Sequence, residues 1–114
     1  MNYENLNDAR KIQEYVTNMR PTFNKRAVFS DETENYRTPA EPEAGDTVNI
    51  RIRTKKNNVD FIFLIYDDVR QPMEWMESKD GFDYYGTDVK LGNETIRYYF
   101  EIISGKIHCY YNQI

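Results

Sequence analysis

The sequence has little of the side-chain chemistry that catalysis usually requires. It contains one histidine, His108, and one cysteine, Cys109. A single cysteine excludes an intramolecular disulfide and any zinc site built on cysteines. His108 and Cys109 are adjacent in a predicted strand, where neighbouring side chains point to opposite faces, so they are not predicted to form a nucleophile–base pair. No G-x-S-x-G motif is present, and any serine triad would have to use His108. With 114 residues, the chain also lacks room for a (β/α)8 barrel, which needs about 250.

Long apolar runs and a basic excess are also missing. No run approaches the roughly 20 apolar residues of a membrane-spanning helix, and the first 20 residues lack the apolar core of a secretory signal. We therefore expect no membrane contact and a cytoplasmic location. The formal charge of -4 argues against nucleic-acid binding. The one basic cluster, Arg51, Arg53, Lys55 and Lys56, is interpreted as a solvated strand face and hairpin tip.

Closely spaced carboxylates are present, and two of them could in principle act in glycoside hydrolysis if they lay about 5–10 Å apart across a cleft. A chain with 19 acidic residues produces such spacing by chance, so we interpret them as solvated loops. The calcium-loop pattern is absent, although loop carboxylates and carbonyls could still bind Ca²⁺; no other cofactor or metal is predicted. The pairs are Asp67 and Asp68, Glu32 and Glu34, and Asp80 and Asp83.

One helix is predicted, over Leu6–Met19. Apolar side chains recur there at helical spacing and form one stripe, and Pro21 ends the helix. We expect this stripe to pack on the rest of the chain or on another protein. The sequence is accordingly divided into an N-terminal helical extension, residues 1–25, and a domain over residues 26–114.

After residue 26 the pattern changes to short strands. Val48, Ile50 and Ile52 alternate with polar residues, which predicts a strand with one buried face, whereas Val59–Tyr66 is nearly all apolar and is predicted to be buried on both faces. Ser30–Asp46 is predicted to be a long surface loop. About seven strands with turns every 8–12 residues predict an all-β, immunoglobulin-like antiparallel sandwich with the N-terminal helical extension. The further strands are predicted at Ala27–Phe29, Met73–Met76, Phe82–Leu91, Thr95–Ile103 and Ile107–Tyr111.

Aromatic residues make up 15% of the chain, and several tyrosines are adjacent in predicted strands. In each adjacent pair one ring should point outward. Exposed rings can stack on sugar rings or pack against a protein partner, and the sequence alone leaves both open. The residues predicted to bind carbohydrate are Trp75, Tyr85 and Tyr99.

Several segments resemble the N-terminal module of neopullulanases, cyclomaltodextrinases and maltogenic amylases. Residues 27–29 (A-V-F) resemble the A-I-Y/F element of that module, and residues 50–60 (I-R-I-R-T-K-K-N-N-V-D) resemble its R-x-R-T-K strand and turn. Residues 81–85 (G-F-D-Y-Y) and 97–105 (R-Y-Y-F-E-I-I-S-G) resemble its F-D-Y-Y/W strand and its R-Y-x-F-x-L-x-S-G hairpin. The resemblance covers about residues 26–111, in matching order and spacing.

The resemblance implies a carbohydrate-binding module of family 34, a non-catalytic domain that precedes a catalytic barrel of glycoside hydrolase family 13. In some members it assists the binding of α-glucan or cyclodextrin; in others it forms the homodimer and covers the partner's active-site cleft. Ser30–Asp46 corresponds to the segment that approaches that cleft, and Tyr36 and Arg37 are predicted to contact it. The leading hypothesis is an accessory module that assists α-glucan binding. The alternative is an interaction domain for homodimerisation or docking on the barrel, without sugar binding of its own.

Overall fold

Two four-stranded antiparallel sheets face each other in the computed structural model, which describes residues 22–93 and 96–112. The first sheet has the strand order β1-β2-β6-β5 and the second β4-β3-β7-β8. This confirms the predicted all-β, immunoglobulin-like sandwich. The predicted helix Leu6–Met19 lies outside the described residues. The strands are β1 (Arg37–Thr38), β2 (Thr47–Lys55), β3 (Phe61–Tyr66), β4 (Val69–Pro72), β5 (Glu74–Lys79), β6 (Phe82–Lys90), β7 (Tyr99–Ser104) and β8 (Ile107–Tyr111).

The core lies between the inner faces of the two sheets. As predicted, β2 alternates, with Val48, Ile50 and Ile52 almost completely buried. Ile62 and Leu64 of β3 and their cross-strand partners in β7 supply the opposite side. Each such side chain contributes about 1.5–3 kcal/mol when it leaves water, so this alternating set is the main source of stability.

β3 differs from its prediction, because only one of its faces is buried. Ile62 and Leu64 point into the core, while Phe61 is 60% exposed and Phe63 and Ile65 are half-buried. β3 is central in its sheet, between β4 and β7, but no described element covers the outer face of that sheet. The apolar run therefore marks an exposed apolar surface.

The segment after β3 forms two strands where one was predicted. Asp67 and Asp68 both have positive φ, 44° and 62°, which is the geometry of a two-residue hairpin turn that aspartate tolerates. This turn returns the chain along β3 as β4, which the sequence analysis did not predict. The strand predicted at Met73–Met76 is β5, displaced toward the C-terminus, and it extends to Lys79.

Three smaller predictions also change. Ala27 ends a short 3₁₀ helix, Lys25–Ala27, and Phe29 makes a single bridge to Arg53, so no full strand forms there. β7 begins at Tyr99 and not at Thr95. The loop Ser30–Asp46 contains the two-residue strand β1.

No helix within the described residues is long and apolar enough to cross a membrane.

Candidate functional site

The three residues predicted to bind carbohydrate lie in three different environments. Trp75 lies on β5, at the edge of the first sheet, and is 58% exposed. Tyr85 pairs with the buried Ile52 across β2 and β6 and packs against the core. Tyr99 lies on the outer face of the second sheet and is 39% exposed. Tyr85 is half-buried and not exposed as predicted, and it lies directly opposite Trp75 in the pairing of β5 with β6. The structure thus places Trp75 and Tyr85 on adjacent strands of the first sheet, whereas Tyr99 lies on the second sheet.

Hydrogen bonds hold the Trp75 indole at the sheet edge. Its Nε1 donates to Asp83 Oδ1 at 3.3 Å and to Ser78 Oγ at 3.4 Å. Burial alone would raise the pKa of Asp83, but hydrogen bonds from Ser78, the Asn57 amide and Trp75 outweigh it and lower the pKa. A charged, buried Asp83 thus fixes the indole edge and leaves much of the ring in solvent.

Beside Trp75, a β-bulge redirects the strand. The pairing of β5 with β6 shifts register between Trp75 and Glu77, so Met76 is the extra residue. Its Sδ lies 2.3 Å from the position that a Cβ on Gly86 would occupy. Glycine at position 86 therefore makes room for the Met76 side chain. The irregularity lies in β5, since β6 stays in regular register with β2 through Gly86.

The outer face of the second sheet contains the largest group of exposed rings. We call it the aromatic face, and define it by Phe61, Tyr99 and Tyr110 with a charged centre of Arg70, Glu101 and His108. Phe61 is 60% exposed and Tyr110 57%. The pairing registers place its residues in three rows across the sheet. The rows are Phe61, Ile103 and His108; Pro72, Phe63, Glu101 and Tyr110; and Arg70, Ile65 and Tyr99.

Glu101 is a buried carboxylate at the middle of this exposed face. It is only 7% exposed, with Arg70 Nε 2.6 Å from Oε1 and His108 Nε2 2.6 Å from Oε2. The hydrogen bond from Arg70 is the main cause that lowers the pKa of Glu101; burial opposes it, and the His108 contact adds to it. Arg70 and His108 are each about half exposed. The triad of Arg70, Glu101 and His108 therefore exposes nitrogen atoms to solvent, while the charged carboxylate of Glu101 lies beneath them.

The rings around this triad also contact one another. Tyr99 and Tyr110 meet edge to face, with centroids 5.8 Å apart, and the His108 ring lies 5.2 Å from Tyr110. Arg70 lies over Phe63, 3.7 Å from the ring centroid. Such contacts restrict rotamers, so the face can bind a ligand with little further loss of side-chain entropy.

The two residues predicted to contact a partner's cleft instead hold the loop in place. Tyr36 is buried, meets Phe29 edge to face at 5.2 Å and stacks on Tyr84 at 6.5 Å. Arg37 is half-buried and donates from Nε to the Ala40 carbonyl at 3.0 Å. Both side chains are engaged with the loop itself, and a direct contact of Tyr36 and Arg37 with a partner's cleft stays a prediction.

The predicted basic cluster serves a similar purpose. Arg51 donates to the backbone carbonyls of Glu34 and Asn35 and thereby fastens the loop to β2. Arg53 lies between the rings of Phe29 and Phe82, 5.3 Å and 4.3 Å from their centroids. These two arginines are therefore engaged with the fold, which corrects the prediction of a solvated strand face.

A cavity of about 800 Å³ opens at one end of the sandwich, between the loop and the segment before β7. Arg37, Tyr98 and Tyr99 contribute to its lining. The Tyr98 hydroxyl oxygen is buried and has no hydrogen-bond partner of good geometry among the described residues. Burial raises the pKa of Tyr98, and the nearby Arg37 opposes that effect. In the described part of the chain, no group of three or more His, Cys, Asp or Glu side chains could hold a metal ion.

Sequence reasoning identified Tyr99 but missed its surroundings. The signal was present, because period-two alternation places Glu101 on the same face as Tyr99 and His108 on the same face as Tyr110. What the sequence could not supply was the topology that places β8 beside β7 and β4 on the far side of β3. Arg70 in particular lies on a strand that was not predicted.

Comparisons with known proteins agree with this fold. Residues 23–114 match the family model described as "Alpha amylase, N-terminal ig-like domain". Among solved structures, a cyclomaltodextrinase is similar with a TM-score of 0.63 and 23% identity, over 75% of this chain and 16% of that chain. At this identity the likeness shows the fold alone, and the chain spans only a small part of that structure's length. A search of the curated proteins found no match.

Proposed function

This chain belongs to the family of α-amylase N-terminal immunoglobulin-like domains, and on that premise we propose that it is a non-catalytic accessory module that assists α-glucan binding. The observation that carries the proposal is the aromatic face. Its rings and its charged centre lie side by side on one open sheet surface, within reach of a single oligosaccharide.

The chemistry of the face fits a glucan. A glucose ring presents an apolar C–H face and a rim of hydroxyls, so it binds where an aromatic ring lies beside charged hydrogen-bonding groups. Tyr99 and Tyr110 supply ring surface, and Arg70 and His108 supply polar nitrogen atoms next to it. Glu101 already holds the side chains of Arg70 and His108 in position. A sugar hydroxyl could therefore form hydrogen bonds with them without further ordering of these side chains.

Ring-deletion variants test this assignment. We expect Tyr99→Ala and Tyr110→Ala each to weaken β-cyclodextrin and maltoheptaose binding about tenfold, which corresponds to about 1.4 kcal/mol. Phe29→Ala is the matched control, since Phe29 is a partly exposed ring on the opposite sheet, and it should leave the affinity unchanged. Equal affinity for all three variants and the unmodified chain would remove the aromatic face as the sugar site.

Trp75 is a separate candidate whose contribution can be measured directly. It is the only tryptophan of the chain, so emission excited at 295 nm reports this ring alone. If glucan also stacks on the edge strand, sugar shifts the emission and Trp75→Ala abolishes part of the binding. If sugar binds while the emission stays constant, the aromatic face acts by itself.

A second function, docking on a catalytic barrel or homodimerisation without sugar binding, is favoured by one specific observation. Phe61, at 60% exposure, extends the aromatic face into an apolar area with Phe63 and Ile103, and exposed areas of this kind often contact proteins. Sedimentation in the absence and presence of glucan separates the two functions. Association that glucan leaves unchanged, together with no sugar affinity, would favour docking.

A further inference from the structure

The described chain begins at one end of the aromatic face. The Thr22 carbonyl accepts a hydrogen bond of 3.0 Å from the Asn58 side chain, and the Asn24 amide donates to the same side chain at 2.6 Å. The Asn58 carbonyl accepts from the Ser104 hydroxyl at the end of β7, and Asn58 lies three residues before Phe61, the first residue of β3. The 21 residues that precede Thr22 therefore join the sandwich beside the row of Phe61.

The row at this end of the face is apolar and exposed among the described residues. Phe61 is 60% exposed and stacks on Phe63, with ring centroids 6.5 Å apart. Ile103 lies opposite Phe61 in the pairing of β3 with β7. Because removal of apolar surface from water is the main driving force of packing, this end of the face favours an apolar cover over solvent.

The sequence before Thr22 has the pattern of such a cover. It lies outside the described residues, and its apolar side chains recur at helical spacing in one stripe over Leu6–Met19. An isolated helix of this length is marginal in water, and its stripe is stable only when it packs on another surface. The charged residues Arg10, Lys11 and Glu14 fall on the other side of the predicted helix. The stripe consists of Leu6, Ala9, Ile12, Tyr15, Val16 and Met19.

The dimensions of the segment and of the face agree. Met19 is three residues from Thr22, and three extended residues span about 10 Å, which is enough to reach the row of Phe61. A helix over Leu6–Met19 has 14 residues and would be about 21 Å long. β7 has six residues, or about 20 Å of strand. A helix whose C-terminal end lies over Phe61 therefore reaches the row of Tyr99 at the other end of the face.

Charge complementarity favours the same placement. In helical projection Asp8 falls within the arc of the stripe, between Tyr15 and Met19. Asp8 belongs to the N-terminal part of the predicted helix, which would lie over the row of Arg70. The Arg70 side chain is 53% exposed beside its contact with Glu101. A carboxylate within an apolar stripe is costly to bury without a cation, and Arg70 supplies that cation.

We propose that residues 1–21 dock on the aromatic face of their own chain through the Leu6–Met19 stripe and form a third layer over the second sheet. The tether at Thr22 favours this segment over other occupants. It raises the effective concentration of the segment at the face to the millimolar range, which a separate molecule rarely reaches. Docking of the segment does not depend on sugar binding.

Paramagnetic relaxation in the full chain tests the docking. A nitroxide is attached at Arg10→Cys in a Cys109→Ser background, since Cys109 is the only native cysteine and Arg10 lies on the polar side of the predicted helix. We expect strong broadening of the amides around Tyr99 and Ile65, at the end of the face far from Thr22. Broadening confined to the amides near Thr22, or no broadening, would overturn the proposal.

Two variants of the spin-labelled chain separate the stripe from the rest of the segment. Ile12→Asp places a carboxylate at the centre of the stripe, and Asn18→Asp places the same group on the polar side of the predicted helix. The broadening around Tyr99 should be lost in the Ile12→Asp chain and kept in the Asn18→Asp chain. Equal broadening in both chains would contradict docking through the stripe.

A mixed sample identifies the molecule that covers the face. The spin-labelled chain, without isotope enrichment, is mixed with an isotope-enriched chain that carries no label. We expect no broadening in the enriched chain, because the docked segment and its face belong to one molecule. Broadening around Tyr99 of the enriched chain would show that a second copy is the occupant and would overturn the proposal.

Under the proposed function, glucan and the docked segment compete for one face, and this consequence rests on that function. β-Cyclodextrin should bind the Ile12→Asp chain several-fold more tightly than the Asn18→Asp chain, because a face that is open only part of the time binds with proportionally lower apparent affinity. Isothermal titration of the two unlabelled variants measures the difference. A docked segment together with equal sugar affinity in both variants would contradict the sugar site on this face and leave the docking intact.

Discussion

Glu101 shows how one residue organises the surface around it. A carboxylate on the outer face of a sheet would ordinarily remain in water, yet this one is covered by Arg70, His108 and Tyr110. Its charge draws two side chains over the sheet, His108 from the adjacent β8 and Arg70 from β4 across β3, and the tyrosine rings pack around them. The aromatic face therefore depends on a charge at its centre as much as on its rings.

The charge of Glu101 should contribute pH-dependent stability. Its pKa is lowered from the ordinary value of 4.5 in the fold, so its contribution is complete above that value and is lost as pH falls through the lower, folded-state pKa. We expect Glu101→Gln to reduce the free energy of unfolding by about 1–2 kcal/mol at pH 7, a figure discounted because both partners are half exposed. In urea titrations the difference should shrink as pH falls below 4.5; an equal difference at pH 7 and at acid pH would contradict this role.

The Asn58 side chain joins two segments of the chain that are distant in sequence. It is fully buried, its Oδ1 accepts from the Asn24 amide at 2.6 Å and its Nδ2 donates to the Thr22 carbonyl at 3.0 Å. It thereby fastens the start of the described chain to the turn after β2. We expect Asn58→Ala to cost about 2–3 kcal/mol, because buried polar groups lose their partners.

Asn49→Ala is the control for that substitution, since the Asn49 side chain bonds to Asp88 and Arg51 near the surface. Urea unfolding followed by Trp75 fluorescence should give a loss below about 1 kcal/mol for this variant. If the two variants lost similar amounts of unfolding free energy, burial would not be the reason that Asn58 stabilises the fold.

At the scale of elements, strands with clear alternation were predictable and irregular ones were not. β2 has a clear period-two pattern, and β2, β6 and β8 appear where they were predicted. β4 was missed because its turn uses two aspartates in the left-handed region, which carry no glycine signal. β3 was assigned to the right position but with the wrong burial, since an apolar run cannot tell a covered face from an exposed one.

The candidate site was predictable to the same limited extent. Alternation correctly placed Tyr99 outward, and it predicted one outward ring in the pair Tyr110 and Tyr111 without saying which; the structure places Tyr110 outward. It could not decide between Tyr84 and Tyr85, because the answer depends on the cross-strand partner. Tyr85 lies opposite Ile52 and points inward, and Tyr84 lies opposite Arg53 and is covered by Tyr36.

The bulge in β5 leads to a prediction about Gly86. A Cβ there would meet Met76 Sδ, and because Met76 is flexible and partly exposed, the side chain can move at modest cost. We expect Gly86→Ala to destabilise the fold by about 1 kcal/mol and to be nearly neutral in a Met76→Ala background. The coupling energy from a double-mutant cycle is the measurement; a coupling near zero would mean that the glycine is required for another reason.

At the scale of the whole molecule, the two outer faces of the sandwich differ. The first sheet is partly covered by its own loop, through Tyr36, Arg51 and the Arg53 stack. The second sheet carries the aromatic face, which no described element covers. This asymmetry leaves the second sheet as the open surface among the described residues, and it is the main structural reason for the proposed accessory function.

The most direct test of that account is an NMR titration of the intact chain with β-cyclodextrin, followed by backbone amide shifts. The account predicts saturable shifts centred on β7, β8 and β4, around Tyr99, Tyr110 and Arg70, with β2 and β6 unaffected. Shifts confined to Trp75 and β5 would move the sugar site to the opposite sheet. No shifts at millimolar sugar would contradict glucan binding by this domain and leave docking as its function.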